Sequence, residues 1–200
     1  MPRVFRATSF LALTLCAVVA AACGGDPFRI RAPFASVPDS FAISALTGTP
    51  ASARSLWRMA SFARYRLDSI GGQFDLGFDL GPSGQITVFP ARTIAIAPPG
   101  GTLAAAPLVA LAVGTGSYAA LDRAPEFGYR ADTALVVTRG QTVFVRSSSD
   151  FCGTQQTGGT LLYAKFIVDS VDLAARRLFL RATIQPSCNF RSFAAGVPTF

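Results

Sequence analysis

The chain has 200 residues, half of them apolar and 14% charged, with a formal charge of +7 and no histidine. That composition excludes disorder of the whole chain, and the missing imidazole excludes Ser-His-Asp and Cys-His catalysis and the usual zinc sites. The basic excess is modest and dispersed: it permits contact with anionic lipids, glycans or envelope polymers, and no nucleic-acid-reading motif accompanies it.

The N-terminus reads as an export signal. Arg3 and Arg6 form a positive start, and Ser9 to Val19 forms an apolar run. That run is shorter than the ~20 residues a membrane-spanning helix needs. Ala20, Ala21 and Ala22 are the small residues that precede a cut. This divides the chain into a signal peptide at 1–22, an N-terminal anchor and tether at 23–39, and a single β-rich domain at 40–200.

The Ala20-Ala21-Ala22-Cys23 junction resembles the lipobox of bacterial lipoproteins, with Ala20 where that family favours Leu. The resemblance implies a diacylglyceryl group on the sulfur of Cys23, and through it a membrane as partner. Gly24 stands where some lipoproteins carry an inner-membrane retention Asp, which implies the outer membrane. The same small residues also satisfy ordinary signal peptidase, whose cut would leave the domain secreted or periplasmic. Pro27, Pro33 and Pro38 follow Gly24 and Gly25 without apolar periodicity, as in a flexible tether.

Beyond the tether the pattern is that of strands. Short candidates are Phe41 to Leu46, Phe62 to Asp68, Thr93 to Ala97 and Leu108 to Val113. Residues 51 to 60 are ambiguous: Thr49-Pro50 can open a helix, and Leu56, Met59, Ala60 and Ala63 recur at helical spacing. Phe74, Leu76, Phe78 and Leu80 alternate with Asp75, Gly77 and Asp79, and a Gly81-Pro82-Ser83-Gly84 turn returns the chain through Gln85 to Phe89. Thr133 to Thr138 and Gln141 to Ser147 predict a second hairpin around Arg139-Gly140. Leu161 to Val171 and Arg176 to Gln185 predict a third, with residue 160 opposite residue 187. In it Phe166, Val168, Leu178, Leu180 and Ile184 are expected in the core, and Lys165, Arg177 and Arg181 in solvent. About nine short strands with little helix predict an all-β fold, an antiparallel sandwich or small barrel.

Cys16 leaves with the signal. Cys152 and Cys188 remain as an even pair at the open end of the third hairpin, so a disulfide is expected.

Catalytic sets each lack a member. Lys165 is the sole lysine and has no Ser three residues before it; Gly81-Pro82-Ser83-Gly84 is no nucleophile elbow; Gly114-Thr115-Gly116-Ser117 has no following Lys. Asp75 and Asp79 on one strand face would stand about 13 Å apart, beyond glycosidase spacing. No metal site or cofactor is expected. Basic and aromatic residues interleave at Arg54, Trp57, Arg58, Phe62, Arg64, Tyr65 and Arg66. They do so again at Arg177, Phe179, Arg181, Phe190, Arg191 and Phe193. Of these, Arg177, Phe179, Arg181 and Arg191 form the candidate binding surface, suited to a glycan or anionic polymer. A solvated sheet face has the same composition. Three functions stay open: a non-catalytic structural or binding module of the envelope, a barrel carrying a lipid or small apolar ligand, and a hydrolase using carboxylates alone.

Overall fold

The computed structural model describes residues 31–69, 73–94, 106–153 and 160–196. These form two antiparallel sheets of six and five strands packed face to face, an all-β sandwich rather than a closed barrel. The strands are β1 Val37–Ser44, β2 Arg54–Arg58, β3 Ala63–Arg66, β4 Leu76–Leu80, β5 Ile86–Pro90, β6 Val109–Val113, β7 Arg130–Ala131, β8 Leu135–Val137, β9 Val143–Ser148, β10 Leu161–Asp172 and β11 Arg177–Gln185. The larger sheet runs β1-β11-β10-β9-β6-β7 and the smaller β3-β2-β4-β5-β8.

The core between the sheets is filled with large side chains. Trp57 and Phe78 come from the smaller sheet and meet Phe41 and Phe166 of the larger one at centroid distances of 5.3 to 6.1 Å. The expected core face of the third hairpin is observed: Phe166, Val168, Leu178, Leu180 and Ile184 are all buried. Two further apolar clusters cover the outer faces. Leu56, Leu67, Phe74, Ala91, Ile94 and Ala106 pack behind the smaller sheet, where a Cβ on Gly77 would approach Ile94 to 2.7 Å. Ala112, Ala124, Phe144, Tyr163 and Phe193 pack behind the larger one.

Several expectations are corrected. The stretch 51–60, ambiguous in the sequence, contains the strand at residues 54–58. Leu56 goes to the outer cluster and Trp57 to the core, and burial on both faces erases the alternation that marks a strand. Thr133 to Ser147 is not a hairpin: β8 pairs with β5 and β9 with β6 and β10, so the chain changes sheets at Gly140, which has φ +81°. Alternation tells which face of a strand is buried, not which neighbour it takes. Only Ala91–Thr93, a 3₁₀ turn, and Ile94 are described from the start of the Thr93 to Ala97 candidate; the rest lies outside the described residues. Within the described residues that precede position 40, Ala32 is buried and β1 begins at Val37, with Pro38 on the sheet edge, where a proline is tolerated.

The third hairpin departs from its expected register. Tyr163 faces Gln185, one residue away from the expected pairing, and a bulge at Asp169 adds a second residue. Past the bulge the phase inverts. Ser170 becomes exposed, and Val171, opposite Leu178, packs against the core. Lys165 points away from the core as expected but is not solvated: it is 5% exposed.

Cys152 and Cys188 form the expected disulfide, with Cα atoms 5.6 Å apart. Cys152 lies in a single helical turn, Asp150–Gly153, between β9 and β10. Reducing the bond reopens a loop of 36 residues, which is expected to remove about 4 kcal/mol of stability in the chain-entropy model. Urea unfolding with and without reductant measures this. Phe166→Ala is expected to cost about 3–5 kcal/mol. Arg181→Ala, at a half-exposed ion pair, is expected to cost less than about 1 kcal/mol. Equal costs for the two substitutions would contradict the placement of the core face.

Candidate functional site

The candidate surface divides in two. Arg177, Phe179 and Arg181 alternate outward on β11, facing Ser44, Ala42 and Ser40 of the edge strand β1. On the other side they face Asp172, Ser170 and Ile167 of β10. Phe179 is therefore flanked by small residues and stands 42% exposed, with Arg177 and Arg181 two positions before and after it on the same face of the strand. Arg191 is not part of this platform. It lies in the C-terminal segment, where it pairs with Glu126 at 3.4 Å.

Electrostatics weaken the platform as an anion site. Arg181 makes a two-pronged bridge to Asp169, at 2.7 and 2.8 Å. Asp169 follows Lys165 and Ile167 on the outward face, and the bulge there leaves it without a residue opposite, so much of the Arg181 charge is offset by this carboxylate. The Asp169 carboxylate also holds the guanidinium above its ordinary pKa. What remains is a surface for stacking on a flat or apolar ring face, with Arg177 as the nearby cation.

Lys165 and Tyr118 build a second feature that the sequence did not signal. The Lys165 ammonium donates to the backbone carbonyls of Tyr118 and Leu121, both at 2.8 Å. It lies over the Tyr118 ring at 4.4 Å and near Phe193 at 5.6 Å. The Tyr118 hydroxyl meets Thr183 Oγ1 at 2.6 Å, and Arg181 stacks on the other side of the cluster at 5.5 Å from the same ring. Burial pushes the Lys165 ammonium down and the Tyr118 phenol up from their ordinary pKa values. The arrangement clamps residues 117–122 onto the sheet. With its ammonium engaged by two carbonyls, Lys165 is a fastener rather than a nucleophile. The available signal was its singularity in a chain with 17 arginines.

At the end of the sandwich that carries the β4–β5 and β10–β11 turns lies an open groove of about 570 Å³. Ile86, Val136, Val137, Val171 and Leu173 supply its apolar wall, and Gln85, Thr138 and Arg139 its polar rim. It borders β8, an outer strand of the smaller sheet.

Asp75 was expected on the same face as Asp79. The alternation breaks just before β4, sending Phe74 to the outer cluster and Asp75 inward between the sheets. There its carboxyl accepts a hydrogen bond from the Met59 amide at 2.7 Å and bonds the Ser147 hydroxyl of the opposite sheet. Asp79 instead binds the Thr47 hydroxyl at 2.9 Å and Arg176 at 3.3 Å. Asp39, Asp68 and Asp132 pair with Arg64, Arg66 and Arg92. Among the described residues, no three His, Cys, Asp or Glu side chains converge as a metal site. Cys23 lies outside the described residues.

Compared with protein-family models, with curated proteins and with solved structures, the chain matches none.

Burial pushes the Asp75 carboxyl above its ordinary pKa, against the smaller opposing pull of Ser147, Met59 and the distant charge of Arg58. A carboxyl that binds its proton more tightly when folded adds most stability below its unfolded pKa of about 3.9. That stability is lost as pH rises through the folded value. An Asn at this position can accept from the Met59 amide and donate to Ser147 Oγ without carrying charge. Asp75→Asn is therefore expected to gain stability relative to the wild type as pH rises from 4 to 7. Thermal unfolding across that range measures it, and a difference independent of pH would contradict the assignment.

Proposed function

We propose that this chain is an exported, lipid-anchored protein of the bacterial envelope whose sandwich is a non-catalytic structural or binding module. The observation that carries the reading is the Cys152–Cys188 disulfide. Such bonds persist in oxidising compartments outside the cytoplasm, the destination to which the charged, apolar, Ala-Ala-Ala-Cys leader directs the chain. Among the described residues, no helix is long and apolar enough to cross a membrane; in this reading the attachment is the lipid on Cys23. Gly24 after that cysteine favours the outer membrane; cutting by ordinary signal peptidase would give a secreted or periplasmic form instead.

The absence of catalysis is supported by how the acids are used. Of the acids whose side chains are described, Asp39, Asp68, Asp79, Asp132, Asp169 and Glu126 each pair with an arginine, Asp75 is sealed between the sheets, and Asp172 accepts from the Ala175 amide in the β10–β11 turn, which leaves Asp122 as a lone carboxylate without a facing partner acid. A glycosidase that works through carboxylates alone needs two of them facing each other across a cleft. A barrel carrier would need an interior, and here the space between the sheets is filled by Trp57, Phe78 and Phe166. Contact with a glycan or anionic envelope polymer would fall to Phe179 and Arg177.

Cys23→Ser is expected to move the protein from the membrane fraction to the soluble fraction, with loss of the mass of the lipid. Two acyl chains at ~0.8 kcal/mol per buried methylene hold a protein firmly on a bilayer. A variant that still sediments with membranes until detergent is added would sink the anchor.

A further inference from the structure

We infer that the end of the sandwich carrying Phe34 and Leu108 faces the bilayer and dips apolar side chains into its surface, so that the domain is held in one orientation. This rests on the lipid anchor proposed above.

The two hydrogen bonds between the Phe34 backbone and Ser187 Oγ, at 3.0 and 3.1 Å, fix where the chain enters the domain. Ser187 adjoins Cys188 and the disulfide. Along the same edge of the larger sheet, Val37 faces Ile184, Leu161 faces Ser148, and Leu108 exchanges hydrogen bonds with Ser148 at 2.8 and 2.9 Å. Phe34 and Leu108 are 52% and 44% exposed, and Val37 and Phe151 are also exposed at this end. Arg31, also exposed, adds a cation at the point of entry.

The tether decides what meets these residues. Arg31 lies eight positions after Cys23, and eight steps at ~3.3–3.6 Å each reach at most about 29 Å. A lipid on Cys23 thus holds Arg31, and with it the end of the domain at which the chain enters, within about 29 Å of the headgroups. Val113, Val136 and Leu173 are as exposed at the opposite end. That end is farther from the bilayer by the length of β1, eight residues or about 26 Å. Exposure alone does not separate the two ends; the anchor does. Aromatic and aliphatic side chains beside a cation are the chemistry of an interfacial contact.

The test uses the full lipidated protein in vesicles of phosphatidylethanolamine and phosphatidylglycerol with or without brominated acyl chains. Trp57 is the sole native tryptophan and is buried between the sheets, so it gives a constant background. Phe34→Trp and, as a second position, Leu108→Trp are expected to shift to shorter wavelength on the vesicles and to lose emission to the bromolipid. Phe179→Trp, on the outer face, is expected to keep its emission. If the protein sediments with the vesicles but Phe34→Trp and Leu108→Trp respond no more than Phe179→Trp, the orientation is wrong while the anchor stands. If none of the proteins sediments, the anchor fails and the orientation with it.

Discussion

Trp57 joins the two sheets. It projects from β2 between Phe41 on the edge strand β1 and Phe166 near the middle of β10, and the second ring also receives Phe78. Two tilted or edge-on aromatic contacts on one indole fix the separation and offset of the sheets more tightly than aliphatic packing would. Everything farther out is arranged around that contact. Arg64 stacks over Phe41 at 5.0 Å while bridging Asp39, closing the side of the sandwich where β1 passes β3. Asp75 and Ser147 tie the sheets by a hydrogen bond beside the Met59 backbone.

Both sheets are covered on the outside as well, and this explains where the sequence was readable. Strands with one wet face, such as β11, alternate cleanly, and their core residues could be named from the chain. Strands buried on both faces did not: Leu56 and Trp57 serve different clusters, so β2 looked like a turn of helix. Lys165 sat on the outward face as the alternation required. Its burial came from residues 117–122, some forty positions away in sequence, and no local pattern reports that. The bulge at Asp169 was invisible for a similar reason. It adds a residue without changing composition, and only the opposing strand shows the slip.

The candidate surface was legible to the same limited degree. Alternation placed Arg177, Phe179 and Arg181 together because they share a strand. Arg191, grouped with them by composition, belongs to a different layer. The ion pair that quiets Arg181 joins it to the residue two along from its direct partner Ile167, and alternation alone does not select that diagonal pairing. The disulfide could be anticipated because two cysteines flanked a hairpin whose strands were themselves recognisable, a case where topology and chemistry gave the same answer.

The pairing of β1 with β11 has a kinetic meaning. The first strand of the domain is hydrogen-bonded to the last, and the strands of the two sheets interleave along the chain, so neither sheet is a contiguous stretch that can form by itself. Contacts between sequence-distant strands form late, because closing long loops costs entropy before any contact is gained. A chain that emerges N-terminus first, from a ribosome or through a translocation pore, must hold β1 unpaired until β11 has appeared. Such a topology delays completion of the larger sheet until its last strand, β11, is available, while β2 to β5 can pair among themselves earlier.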